Sequence, residues 1–230
     1  MGGRHSGSSS STVVVNLVMK RLGAAITDME MPAVEKLAEE QKADPFQVLI
    51  ATMLSAQTKD AVTSQASARL FKRAHSVQDM NTLSVREIEK LIYPVSFYRN
   101  KARNVKRTCH LLISRFGGVV PSDMVELVSL PGVGRKTANL VLIVSLRSTS
   151  SICVDTHVHR ISNRLGWVKT RTPDKTETAL YDVSPRRWWA LLNKYLVTWG
   201  QNVCRPVYPI CGRCAISDLC PRVGGTRVGH

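Results

Sequence analysis

Apolar residues recur at helical spacing along nearly the whole chain, and helix start signals precede them. Asp44-Pro45 offers an N-cap followed by proline at the first helical position, ahead of Phe46, Val48, Leu49 and Ile50. Ser84 with Glu87 makes a capping box before Ile88, Leu91 and Ile92. Thr172-Pro173 and Ser184-Pro185 repeat the cap-then-proline arrangement. Gly117-Gly118 ends a helix that begins near Tyr98. Two further apolar segments, Asp123 to Ser129 and Arg135 onward, flank a short glycine-containing turn. Nowhere do apolar and polar residues alternate long enough to argue for a sheet. The nearest strand candidate, Ile152-Cys153-Val154, is equally a loop. The pattern predicts an all-α protein of about ten helices, with no internal repeat and no long linker.

Composition narrows the class. The 230 residues allow one large domain or two small ones. A hydrophobic share of 43% with 21% charged residues is that of an ordinary globule. The charge is lopsided: 32 Lys and Arg against 17 Asp and Glu leave +15. Such an excess points to a polyanionic partner, nucleic acid or an anionic membrane, when it is not a solubility surplus. The run Val13 to Val18 is broken by Asn16 and followed by Lys20 and Arg21. It falls short of the roughly 20 apolar residues of a membrane span and lacks a cleavage site. Met1-Gly2-Gly3-Arg4-His5-Ser6 fits the loose myristoylation pattern, which recurs by chance. Ser6 to Ser11 reads as part of a flexible tail. Without an export signal the chain is expected inside the cell, where thiols stay reduced.

The C-terminal end differs. From Cys204 onward come Pro206, Pro209, Gly212 and Pro221, with the spacing Cys204-x6-Cys211-x2-Cys214-x5-Cys220. So little regular structure calls for an external staple. Disulfides conflict with a reducing compartment. Zinc modules place cysteines in two close pairs, and only Cys211 and Cys214 form one here. A [4Fe–4S] cubane takes four thiolates and tolerates uneven spacing. Zinc and cubane both remain open from spacing alone. Cys109 and Cys153 read as small buried hydrophobes.

Leu130-Pro131-Gly132-Val133-Gly134 joins its two helical segments as a helix–hairpin–helix or as an ordinary helical turn. Gly132 and Gly134 let backbone come close to a ligand, and the following helix starts with N–H groups that favour an anion. Such a hairpin grips a DNA phosphate and reads no base. Lys136 stands two residues after Gly134, beside Arg135. A helix start and a neighbouring cation favour its neutral amine, a nucleophile, although a lysine near DNA can also serve only to pair with phosphate. Asp155 enters a new helix in Val154-Asp155-Thr156-His157. It suits an N-cap, or a carboxylate that stabilises an oxocarbenium or moves protons. His157 and His159 could bind DNA or make structural hydrogen bonds.

These residues resemble the endonuclease III family, bifunctional DNA glycosylases and abasic-site lyases of the helix–hairpin–helix superfamily. The resemblance runs from about Asp44 to Pro221. It rests on Leu54-Ser55-Ala56-Gln57-Thr58-Lys59-Asp60, Phe97-Tyr98-Arg99-Asn100-Lys101-Ala102, Leu130 to Ala138, Val154 to His157 and the four cysteines, in that order. It implies two helical lobes with a DNA cleft between them. Residues 39–148 would form a six-helix barrel, residues 12–38 plus 149–230 an iron–sulfur domain, and residues 1–11 a flexible tail. The same resemblance assigns a [4Fe–4S] cluster to Cys204, Cys211, Cys214 and Cys220. Lys136 falls on the family's catalytic lysine and Asp155 on its catalytic aspartate. Gln57 falls on the residue that fills the gap left by a flipped nucleotide. Phe97 takes the wedge position, where a leucine is familiar. Ser96 stands where many relatives carry glycine.

The implied activity is removal of oxidised pyrimidines from duplex DNA, then strand cleavage by β-elimination through a Schiff base on Lys136. Adenine- and thymine-removing relatives lack that lysine and stop after base removal. A monofunctional mismatch glycosylase, or a non-catalytic iron–sulfur DNA-binding protein, are the other readings. Gly132, Gly134, Arg135 and His157 join Gln57 and Phe97 as expected DNA contacts. Arg99, Lys101, Arg103, Lys106 and Arg107 crowd one segment, with Arg213 and Arg222 in and beyond the cysteine loop. As a group they suit phosphate contacts whose affinity falls with salt. Trp188, Trp189 and Trp199 fit a core. The expected partner is double-stranded DNA bound by a monomer, away from membranes.

Overall fold

The computed structural model describes residues 8–40 and 44–224. The myristoylation-like start lies outside the described residues. The first helix begins at Ser8, so the serine-rich stretch is helical from Ser8 to Ser11. The chain divides into two compact units, Pro32–Ser148 and Met1–Met31 with Thr149–His230. They are called here the hairpin unit and the cysteine unit.

The first helix, α1 (Ser8–Ala25), belongs to the cysteine unit. The hairpin unit then runs through α2 (Ala33–Glu40), α3 (Pro45–Ser55), α4 (Asp60–Arg73), α5 (Val77–Thr82), α6 (Val85–Ile92), α7 (Tyr98–Phe116), α8 (Met124–Val128) and α9 (Arg135–Val144). The break falls at Pro32 rather than at residue 39, because α2 packs on α3 and α4. Helix α3 is the hub. Every residue from Phe46 to Leu54 is buried, and α2, α4, α7 and α9 pack around it. Its start is the one the sequence announces: Asp44 accepts a hydrogen bond from Phe46 N–H, with Pro45 in the first turn. The capping box of Ser84 and Glu87 forms as expected, and a second box, Ser76 with Asp79, starts α5. Gly117 ends α7 in the left-handed conformation at φ 62°, where Gly118 N–H reaches back to Leu112 C=O.

The cysteine unit continues with α10 (Thr156–Arg164), α11 (Pro173–Val183) and α12 (Trp189–Asn202). Helix α12 lies against α10 and α1, and α11 against α10 and α1. Val15, Val18, Met19, Leu22, Ile161, Leu180, Leu192, Leu196 and Trp199 fill the space between them. Trp188 and Trp189 are half-buried against this core. One start signal misleads. Ser184 closes α11, its hydroxyl bonded back to Leu180 C=O, and a 3-10 turn at Arg186–Trp188 leads into α12 instead. Among the described residues there are twelve α-helices and three 3-10 turns. Ile152 to Val154 is an irregular buried segment, not a strand.

Candidate functional site

In the hairpin unit, Asp123 caps α8 by accepting from Val125 and Glu126 N–H at 2.8 and 3.1 Å. Leu130 and Val133 are buried and fix the turn between α8 and α9 to the unit. Helix α7 supports it from two positions one turn apart. Thr108 Oγ1 donates to Pro131 C=O at 3.1 Å. Asn104 lies so close under Gly132 that a Cβ there would stand 2.7 Å from its Nδ2, and Gly132 has φ +78°. Only glycine satisfies both conditions. Gly134 differs: its φ is −95°, and a Cβ there would meet nothing within 4 Å. The fold does not need that glycine. It caps α9 without a side chain, so no cap hydroxyl or carboxylate covers the first-turn N–H groups. Arg135 and Lys136 follow, both exposed, while Ala138, Val141 and Leu142 on the other side of α9 are buried.

Gln57 and Phe97 share an unusual backbone. Both are non-glycine residues in the left-handed region, at φ 55° and 56°. Each such residue costs about 1 kcal/mol or more, so something must hold it. Phe97 projects with 66% of its surface exposed, and Gln57 is exposed as well. The restraint comes from Lys101, which is only 9% exposed. Its Nζ donates to Leu54 C=O at 2.7 Å, to Ala56 C=O at 2.6 Å and to Thr58 Oγ1 at 3.2 Å. Thr58 Oγ1 also accepts from Ser96 N–H at 3.2 Å. The Gln57 and Phe97 turns are therefore tied to one ammonium.

This corrects the place of Lys101 among the phosphate-facing cations. Burial lowers its pKa to about 8, and its three donors point inward. Lys106 is also half-buried, with Nζ turned to Asn81 C=O. Arg99, Arg103 and Arg107 are exposed, Arg103 beside Asn100 at 2.7 Å and Arg99 over the Tyr98 ring at 5.5 Å. The signal was periodic. Lys101, Val105, Thr108 and Leu112 fall on one stripe of α7, and all are buried.

In the cysteine unit, Asp155 is the N-cap of α10. Its Oδ1 accepts from His157 and Val158 N–H at 2.8 and 2.9 Å. His157 packs against Gly200, where a Cβ would stand 2.5 Å from its Nδ1, and pairs with Arg160 Nη2 at 3.1 Å. His159 Nδ1 meets Thr176 Oγ1 at 2.6 Å. Both histidines thus have structural partners. Two arginines of α10, which the sequence did not single out, clasp the cysteine loop. Arg160 donates to Cys204 C=O at 2.8 Å. Arg164 donates to Arg205 C=O at 2.7 Å and Pro206 C=O at 2.6 Å, and its Nη1 lies 3.4 Å from Cys204 Sγ. They lie one turn apart, as donors reaching one neighbouring segment must.

Cys204, Cys211, Cys214 and Cys220 line one cavity together with Ile161, Leu165, Trp199, Val203, Ile210 and Ile216. Burial among these apolar side chains is the main cause raising the thiols of Cys214 and Cys220 above the usual range. Among the described residues, no three His, Cys, Asp or Glu side chains are grouped as ligands of a metal ion. Cys109 and Cys153 are fully buried elsewhere, and burial pushes the Cys109 thiol up to about 12. Arg213 and Arg222 are exposed. Exposed Asp218 pairs with Arg21 of α1 at 2.6 Å. No described helix is long and apolar enough to cross a membrane.

Comparison with known proteins accords with this layout. Residues 50–186 match the HhH-GPD superfamily of base excision DNA repair proteins. Endonuclease III-like protein 1 of Gallus gallus is 47% identical over 178 residues, 76% of this chain and 63% of the relative. The chain thus spans less than two thirds of that relative's length. Endonuclease III of Thermotoga maritima is 42% identical over 196 residues, 81% of this chain and 92% of the relative. The structure of a trapped endonuclease III–DNA covalent intermediate superposes with a TM-score of 0.80 at 32% identity, covering 92% of this chain and 96% of that one. The chain belongs to the endonuclease III family of the HhH-GPD superfamily of base excision DNA repair proteins.

Proposed function

We propose that this chain is a bifunctional DNA glycosylase and abasic-site lyase that removes oxidised pyrimidines from duplex DNA. The observation that carries the proposal is Lys136: an exposed lysine in the first turn of α9, directly behind a glycine hairpin braced by Asn104 and Thr108. A phosphate on the hairpin meets the first N–H groups of α9, and the open space at Gly134 lets it approach. The adjacent sugar then lies within reach of Lys136. Gln57 fills the space of the flipped nucleotide, and Phe97 wedges into the stack.

The chemistry follows from an amine and a carboxylate. The Lys136 amine attacks C1′, the C1′–N bond to the base breaks, and the base leaves with the bonding electrons. Asp155 stabilises positive charge developing at C1′ with the carboxylate whose Oδ1 also caps α10. The amine loses a proton, the sugar ring opens, and a Schiff base links Lys136 to C1′. A base removes a 2′ proton, the 3′ C–O bond breaks, and the strand is cut on the 3′ side of the lesion. Water then hydrolyses the imine and returns the lysine. Covalent catalysis replaces one hard step with several easier ones.

Cys204, Cys211, Cys214 and Cys220 would hold a [4Fe–4S] cluster. Their shared cavity supplies soft thiolate donors in apolar surroundings, and Arg164 places positive charge at Cys204 Sγ. When bound, the cluster supplies a redox-capable crosslink for a loop with little regular structure. A brown protein absorbing in the blue supports this assignment; a colourless one carrying zinc overturns it. The protein acts as a monomer on DNA inside the cell, in a nucleoid or a nucleus.

Incubation with abasic-site duplex and borohydride tests the activity. A covalent adduct that vanishes in Lys136→Gln is expected. Base release without any adduct would indicate a monofunctional glycosylase, and salt-sensitive binding without turnover a non-catalytic protein.

A further inference from the structure

Gln57 and Phe97 lie on turns 40 residues apart in the chain, yet both adopt the left-handed conformation that non-glycine residues rarely take. Each turn is closed by one backbone hydrogen bond of its own, and nothing in either backbone joins it to the other. Thr58 N–H reaches Ser55 C=O at 3.0 Å, and Tyr98 N–H reaches Val95 C=O at 3.1 Å. What joins them is the Lys101 ammonium and the Thr58 hydroxyl. The hydroxyl accepts from Lys101 on one side and from Ser96 N–H on the other. Lys101 Nζ is then shared among Leu54, Ala56 and Thr58, which bracket Gln57. An ammonium has three donors, and here all three end on the Gln57 turn.

We propose that Lys101 and Thr58 are positioning residues that lock Gln57 and Phe97 as one two-pronged probe before DNA arrives. The proposal rests on the reading that these two side chains enter the duplex. Both side chains are exposed, so no packing of their own holds the left-handed backbone; beyond one turn hydrogen bond apiece, the restraint is the Lys101–Thr58 network. A flexible tip would have to be ordered during insertion, at an entropic cost that preorganisation removes. Lys101 touches no DNA in this scheme. Its buried position excludes it from the phosphate-facing group, and its effect passes through the two turns.

The discriminating substrate pair is an abasic site in duplex DNA against the same site in a single strand. Only the duplex has an opposite strand and a gap for the probe to fill. Thr58→Val removes the bridging hydroxyl at nearly constant volume, and Lys101→Met removes the three donors while keeping a long apolar stem. In both variants, strand cleavage on the duplex should fall by about tenfold to a hundredfold, the scale of a misplaced positioning group. Cleavage of the single strand should change by less than about twofold. A 2-aminopurine placed opposite the abasic site should lose the fluorescence change that insertion causes in the wild type. Should Lys101→Met not fold, Thr58→Val decides alone. Equal losses on duplex and single strand, or an unchanged 2-aminopurine response, overturn the proposal. A wild-type protein that cleaves neither substrate would instead overturn the lyase reading itself.

Discussion

The Gln57–Phe97 tip and the cysteine loop are both irregular segments tied down by cations that donate to backbone carbonyls. Lys101 serves Leu54 and Ala56; Arg160 and Arg164 serve Cys204, Arg205 and Pro206. The two differ in what is left over. At the tip, one ammonium and one hydroxyl complete the structure, and the residues beneath belong to the buried faces of α3 and α7. In the cysteine loop, four thiols remain around an apolar cavity, and the only regular structure is two 3-10 turns. Hydrogen bonds suffice where a segment lies on a packed helix. Where a short loop must enclose its own interior, they leave four thiols unused, and the cluster proposed above would supply the crosslink.

The strongest way to break this contrast is to remove one thiol. Cys214→Ser should expose the loop to trypsin at Arg213, raising the cleavage rate by about a hundredfold or more as local opening loses its restraint. The tip should keep its response to duplex DNA. A variant loop as resistant as the wild type would show that the arginines alone hold it. Arg164→Met sharpens the same point with a smaller effect. It deletes donors to Arg205 and Pro206 C=O and the contact with Cys204 Sγ. A loss of about 1–3 kcal/mol in stability is expected from hydrogen bonds of a charged donor, with faster loss of visible colour. An unchanged melting temperature would argue against the clasp.

The smallest effect concerns protons. Lys101 has a pKa of about 8 against its ordinary 10.5, because burial disfavours its charge. Between those values the folded chain has released a proton that the unfolded chain still holds, so this group makes stability rise with pH across that window. The melting temperature of the wild type, relative to that of Lys101→Met, should therefore climb between about pH 8 and pH 10. A flat or falling difference would mean that the ammonium is not buried.

Much of the architecture was legible because caps and periodicity are local. Asp44-Pro45, Ser84 with Glu87, Thr172-Pro173 and Gly117 all act within a few residues of themselves. Ser184-Pro185 misled because the same serine can close one helix as easily as open the next. Asp155 was legible as an N-cap, and its geometry is that of one. Gly132 and Gly134 looked alike in sequence; the positive φ of Gly132 and the position of Asn104 separate a glycine that the fold requires from one that leaves room for a ligand. Lys101 was misassigned because charge was read ahead of its place on the buried stripe of α7. Arg160 and Arg164 escaped notice because their acceptors lie some 40 residues further along the chain.

The proposed mechanism requires the Lys136 amine to bond to C1′ of an abasic or damaged nucleotide. Reduction of the reaction mixture with borohydride, protease digestion and peptide mapping by mass spectrometry would locate that bond. The sugar remnant should appear on the peptide carrying Lys136 and on no other. A remnant on a different lysine or on the chain's amino terminus would contradict the mechanism.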